Sequence, residues 1–163
     1  MSTSRYPRGT ILRCFFPYDT HPQIPGPKAH YCLLAEQVEL PGESLLAVCY
    51  GTSRLDNNLI RKHNGVIFSV PSGLIRGTMT GPVTHFVADH VALIKPTERW
   101  MELDWSARLD FMRPEKREND PRRARLYTEF QAVEEAALRM VEEAVLHFQA
   151  TGTVGLLPGK TLR

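Results

Sequence analysis

The sequence predicts an α+β chain in which a mainly β first part, residues 1–95, is followed by a helical extension, residues 96–163. Three observations carry this reading. Short apolar runs bounded by turn residues recur through the first 95 positions at spacings typical of a small barrel or sandwich. No helix of useful length fits between neighbouring runs, which argues against parallel crossovers and a doubly wound sheet and leaves a small, strongly bent all-β unit. After Lys95 the apolar residues recur at intervals of three and four instead. A chain of 163 residues, 42% of them hydrophobic, can bury one core but is too short for two full-sized domains.

Taken in order, the candidate strands are residues 9–16, 31–40, 44–50, 65–70, 83–87 and 91–95. Pro41-Gly42-Glu43 is a compact turn that makes the second and third an antiparallel hairpin. Two connections are longer than a hairpin needs. The first, residues 17–28, holds Pro17, Pro22, Pro25 and Pro27 with Gly26, so its backbone is restricted in advance. The second, residues 51–64, carries Arg54, Asp56, Asn57, Asn58, Arg61, Lys62 and His63. Long polar loops on a small β unit are where binding usually happens.

Two helices are expected beyond Lys95. Thr97 is a candidate N-cap, and Trp100, Leu103, Ala107 and Phe111 define an amphipathic helix over about 98–112 that stops before Pro114. The second, over about 121–150, opens with Asp120 as N-cap and Pro121 at its first position, and Gly152 ends it. Its stripe is Leu126, Phe130, Val133, Ala137, Met140, Ala144 and Phe148. The tail, 153–163, is expected to be loose, with Val154, Leu156 and Leu157 able to dock it.

Composition narrows the function classes. No apolar run approaches the roughly 18 residues of a membrane span, and the start, MSTSRYPRGT, has no apolar stretch of a secretory signal. A soluble, cytoplasmic protein with no membrane partner is expected. Cys14, Cys32 and Cys49 form an odd set without a CxxC pair, each inside an apolar stretch, which favours reduced buried thiols over disulfides or zinc. The twenty basic residues divide as fifteen Arg and five Lys, a bias that suits an anionic partner and that a GC-rich genome also produces.

Four groups of residues are candidates for chemistry. Pro25-Gly26-Pro27-Lys28-Ala29-His30 delivers a cation along a proline-fixed path to the start of a strand, where an anion can reach it. Gly51-Thr52-Ser53-Arg54 follows a core strand, with hydroxyls and a guanidinium suited to phosphate oxygens. Among the six histidines, His85, Asp89 and His90 have the makings of a metal set, but His85 shares a strand face with Val83 and Val87, which favours a core or rim position. No metal and no cofactor are expected. His21 and His63, in the two long loops, are better placed for proton transfer, with His30 a further candidate. Last, Arg113, Lys116, Arg117, Arg122, Arg123 and Arg125 crowd the start of the final helix, opposite to the order the helix dipole favours, as a partner contact or a solvated face.

The opening Arg8-Gly9-Thr10-Ile11-Leu12-Arg13, the Phe16-Pro17 ending of the first strand, Gly26-Pro27-Lys28 before the second and Gly51-Thr52-Ser53 after the third together resemble the PemK/MazF family of toxin-like proteins over roughly residues 8–95. The resemblance implies an SH3-like, CcdB-type barrel, a homodimer, and a metal-independent endoribonuclease that cuts single-stranded RNA and is silenced by an acidic antitoxin-like protein. By the same resemblance Lys28 and Thr52 stand where the family acts on the scissile phosphate. Lys28-Ala29 replaces the family's arginine-proline pair, which keeps the charge and loses the bidentate fork. The helices beyond residue 96 have no counterpart in the family.

On this reading Lys28, Thr52, Ser53 and His30 are the catalytic candidates, and Arg54, His21, His63, Arg61 and Lys62 the substrate-binding ones. The rival is a non-catalytic barrel module that grips nucleic acid or a protein. A gyrase-poisoning toxin of the CcdB type shares the barrel without motif support here. Nine basic against six acidic residues up to Lys95 make the β part mildly basic, while eleven against twelve leave the remainder nearly neutral.

Overall fold

A computed structural model describes residues 5–63, 66–77, 79 and 81–156. In chain order its elements are β1 (Thr10–Cys14), β2 (His30–Leu40), β3 (Glu43–Thr52), α1 (Asn57–Lys62), β4 (Ile67–Pro71), β5 (Ile75–Arg76), β6 (Val83–Ile94), β7 (Met101–Leu109), α2 (Pro114–Arg117), α3 (Pro121–Thr151) and β8 (Gly155–Leu156). The strands form one eight-stranded sheet, ordered β4-β6-β3-β2-β1-β7-β5 with β8 on β6, and every pairing is antiparallel. The protein is thus α+β, an open antiparallel sheet with a long C-terminal helix.

The expected hairpin is present: β2 and β3 pair from Leu33 opposite Cys49 to Leu40 opposite Glu43, joined through Pro41-Gly42. The sheet is strongly bent. Its edge strands β4 and β5 are linked only by the 3-10 turn Ser72–Leu74, so Pro71 and Ile75 lie at most about 15 Å apart. In a flat sheet of this order they would be separated by about 29 Å.

Bending gives the strands two buried faces. On one, Ile11, Leu33, Leu45, Ala47, Phe86 and Leu93 pack with Leu126, Phe130, Val133, Ala137, Val141 and Ala144 of α3. On the other, Leu12, Cys14, Cys32, Leu34, Leu46, Val48, Ala92 and Ile94 close a second cluster with Trp100, Met101 and Leu156. This explains why Leu45-Leu46-Ala47-Val48-Cys49 is an unbroken apolar run instead of an alternating one. Cys14, Cys32 and Cys49 are buried and unpaired, and burial pushes the Cys32 and Cys49 thiols well up, so both stay protonated.

Helix α3 starts and ends as its caps dictate. Asp120 accepts from the backbone N–H groups of Arg122 and Arg123, Pro121 takes the first turn, and Gly152 closes the last with its N–H on the Phe148 carbonyl. The helix expected over 98–112 is instead strand β7, paired with β1 on one side and β5 on the other. Met101, Leu103, Trp105, Ala107 and Leu109 alternate with Glu102, Asp104, Ser106 and Arg108, a nine-residue period-two pattern that competes with the helical spacing of Trp100, Leu103, Ala107 and Phe111. Pairing decides between them, because β7 satisfies the outer backbone groups of β1. Trp100 and Phe111 are buried just outside the strand. The sheet therefore crosses the boundary expected after residue 95.

Two smaller expectations also change. The two strands expected over 83–87 and 91–95 are one, β6, which ends at Ile94 and whose ladder with β3 jumps from Val87 opposite Tyr50 to Val91 opposite Cys49. The tail is anchored at Gly155–Leu156, where Leu156 donates its N–H to the Pro22 carbonyl at 2.8 Å. Gly65, the first residue of the expected fourth strand, its neighbour Asn64, and Leu157 lie outside the described residues. Among the described residues no helix is long and apolar enough to cross a membrane.

Candidate functional site

Two close backbone approaches at one rim of the sheet assemble the site. A Cβ on Gly51 would lie 1.8 Å from the Tyr31 carbonyl oxygen, so only glycine lets the end of β3 pass this near the start of β2. A Cβ on Gly26 would lie 2.3 Å from the Phe16 carbonyl oxygen, and the Gly26 N–H donates to Phe15 at 3.0 Å. The first approach sets Thr52-Ser53-Arg54 beside the β2 start. The second ties the returning proline loop to the end of β1 and carries Lys28 to the same rim.

Two adjoining cavities result, of about 400 and 370 Å³, and Lys28 and His30 line both. The smaller is completed by Gly51, Thr52, Ser53, Arg54 and Thr84. The larger adds an aromatic wall of Phe16, Tyr18 and Tyr50, with Asp19, Leu59, Lys62, His63 and His90. Lys62 and His63 reach it because α1 starts at Asp56, whose carboxylate accepts from the Leu59 N–H at 2.8 Å. Lys28, His30, Thr52, Ser53, Arg54, Lys62 and His63, far apart in sequence, are therefore neighbours. His21 and Arg61 line neither cavity: the His21 Nδ1 lies 3.0 Å from the Thr20 hydroxyl, and Arg61 donates to Asn58 at 2.5 Å.

The larger cavity contains a histidine pair that sequence reading did not assemble. Between Val87 and Val91 strand β6 has three residues without opposite numbers on β3, and this irregularity re-aims Asp89 and His90. The Asp89 carboxylate meets His63 Nδ1 at 2.5 Å. His63 stacks on His90, with centroids 5.7 Å apart and planes 10° from parallel. His90 in turn packs against Tyr50 at 5.3 Å and edge-on to Phe16 at 5.1 Å. Its Nε2 is 3.5 Å from Asp19, too long for a good hydrogen bond.

Burial dominates the titration here. It pulls His90 down to about 4, with the His63 charge acting the same way and Asp19 opposing. His30 is also lowered, first by burial and then by the positive charges of Lys28 and Arg13, so it is neutral near pH 7. The Tyr50 phenol is pushed up by burial. Thr52 is tied into its own turn, its hydroxyl accepting from the Arg54 N–H at 3.1 Å and donating to the Arg54 carbonyl at 3.3 Å. His85 sits half-buried outside the site with Nδ1 2.6 Å from the Ser69 hydroxyl. Among the described residues no three His, Cys, Asp or Glu side chains group as a metal site.

The basic segment at the start of α3 is largely engaged within the chain. The Arg123 guanidinium donates to both oxygens of the buried Asp110 at 2.9–3.2 Å and pairs with Asp120. Arg117 donates to the Phe111 and Met112 carbonyls and lies 3.7 Å over the Tyr127 ring, and Arg113 pairs with Glu115. Lys116, Arg122 and Arg125 are exposed. The charge order that opposes the helix dipole thus ties α3 to the turn before it.

Comparison with protein-family models, with curated proteins and with solved structures finds no match to this chain.

Proposed function

We propose that the protein is a metal-independent endoribonuclease of the PemK/MazF-like kind, cutting single-stranded RNA by attack of the ribose 2′-hydroxyl on the adjacent phosphorus. The observation that supports it is the convergence of Lys28 and His30 between two cavities, one lined by Thr52, Ser53 and Arg54 and the other by Lys62 and His63. The smaller cavity offers donors for phosphate: Lys28 meets the charge of the pentavalent phosphorus, Ser53 and the Thr52 turn face its non-bridging oxygens, and Arg54 holds a flanking phosphate. A histidine of the cleft accepts the 2′-hydroxyl proton. DNA, lacking that nucleophile, is not cut. The bent antiparallel sheet is compatible with the SH3-like barrel this reading carries, and a homodimer held silent by an acidic protein partner accompanies it.

A second reading, a non-catalytic module that binds nucleic acid or a protein, is favoured by the Thr52 hydroxyl, whose one proton is already donated within its own turn to the Arg54 carbonyl. The two separate on purified protein incubated with a long single-stranded RNA in excess EDTA, alongside Lys28→Ala and Thr52→Ala. The nuclease cleaves, and each variant loses cleavage. Saturable, salt-sensitive binding of intact RNA supports the module instead.

A further inference from the structure

The site holds more than one histidine, and their surroundings differ. His30 faces two cations, Lys28 and Arg13, which oppose the imidazolium that a base becomes once it has accepted a proton. His63 faces a carboxylate. Its ring is 5% exposed, yet it lines the larger cavity together with Lys28, and Asp89 Oδ1 lies 2.5 Å from Nδ1. An ionised carboxylate only accepts hydrogen bonds, so Nδ1 carries the proton and Nε2 is the nitrogen left able to accept one. The stacked His90 fixes the plane of the ring.

We propose that His63 is the general base for the RNA 2′-hydroxyl and that Asp89 is its positioning residue, a dyad built by the irregularity in β6. The proposal rests on the nuclease reading and deepens it. His63 Nε2 takes the 2′-hydroxyl proton as O2′ bonds to phosphorus. The P–O5′ bond breaks, the departing 5′ oxygen takes a proton from solvent water, and the hydroxide so formed is neutralised by the proton His63 then releases. The products are a 2′,3′-cyclic phosphate and a 5′-hydroxyl, with no net proton change. Asp89 stabilises the imidazolium in between, as the carboxylate of other histidine–carboxylate pairs does.

The groups that face His63 are Asp89 and His90 of β6, Lys62 beside it, and Lys28, His30 and Asp19 across the cavity. The pH dependence of cleavage therefore has to be assigned by substitution. Single-turnover cleavage of a short single-stranded RNA in EDTA is measured from pH 5 to 9 for wild type, His63→Gln and Asp89→Ala, with binding to the 2′-O-methyl analogue as control. Expected is a loss of about 10²-fold or more in His63→Gln with the acid limb of the wild-type profile gone, a smaller loss in Asp89→Ala, and analogue binding that falls far less than cleavage in both. Nitrogen-15 NMR of the wild type reads the tautomer independently of activity, with Nδ1 protonated and Nε2 bare, and Asp89→Ala shifts the mixture towards Nε2–H. A wild-type His63 protonated on Nε2, or an acid limb retained in His63→Gln, overturns the dyad alone. Absence of cleavage by the wild type overturns the nuclease reading and the base role with it.

Discussion

Acid should weaken this protein, and His90 is its strongest source of acid sensitivity. Its ring is enclosed by Phe16, Tyr50 and His63, its side chain is 13% exposed, and burial holds it near a pKa of about 4, against 6.5 for an ordinary histidine. Between those values the unfolded chain binds the proton and the native state does not. Stability contributed by keeping His90 neutral is therefore present above about pH 6.5 and is lost as pH falls towards 4. The full gap corresponds to about 3 kcal/mol, of which about 2 kcal/mol is lost between pH 7 and pH 4.5. Urea unfolding of wild type and His90→Phe at those two pH values isolates it, because His30, His85 and the carboxylates titrate in both proteins and cancel. The stability of His90→Phe relative to wild type should rise by about 2 kcal/mol on acidification. Parallel losses in the two proteins would place the acid sensitivity elsewhere than His90.

Other consequences follow from the same geometry. Lys28→Ala should lower single-turnover RNA cleavage by about 10²–10³-fold, the cost of removing one preorganised donor from a developing charge, while Lys28→Arg retains activity. Gly51→Ala forces a Cβ onto the Tyr31 carbonyl and should cost about 1–3 kcal/mol, read as a fall in Tm by calorimetry, and reduce cleavage because Thr52-Ser53-Arg54 shift with it. Phe130→Ala removes a ring that is 3% exposed and lies 5.8 Å from Phe68, and should cost about 3–5 kcal/mol in urea unfolding. A 163-residue chain that tolerated this change would show that α3 does not close the core.

Much of the architecture was written in local chemistry. Asp120-Pro121 and Gly152 bound α3 because caps act within one turn of helix, and Pro41-Gly42 made the hairpin for the same reason. Strand β7 is not legible locally, because residues 100–111 satisfy both a helical and an alternating period and only the open edge of β1 chooses between them. The start of α1 at Asp56 carries an ordinary N-cap signal, overlooked because six residues show no periodicity. The site was legible in parts. Lys28, His30 and Thr52-Ser53-Arg54 are marked by the turns that hold them, but their meeting depends on Gly26 and Gly51 passing close to backbone carbonyls far away in sequence. Asp89 and His90 stand in the sequence only as partners of His85 in a possible metal set, because the extra residues of β6 that re-aim them leave no trace in a single sequence. Phe16, in the core, and Tyr50, half-buried against it, also wall a cavity.

On the nuclease reading, the cleft formed by Lys28, His30, Thr52 and His63 cuts RNA through the RNA's own 2′-hydroxyl. The most direct measurement is the chemistry of the ends released from a single-stranded RNA by the purified chain in excess EDTA. Expected are 2′,3′-cyclic phosphate and 5′-hydroxyl ends, with no cut at a single 2′-deoxy substitution placed at the cleavage position. RNA that stays intact at high protein concentration, or cleavage that leaves 5′-phosphate ends and ignores the 2′-deoxy substitution, would contradict it.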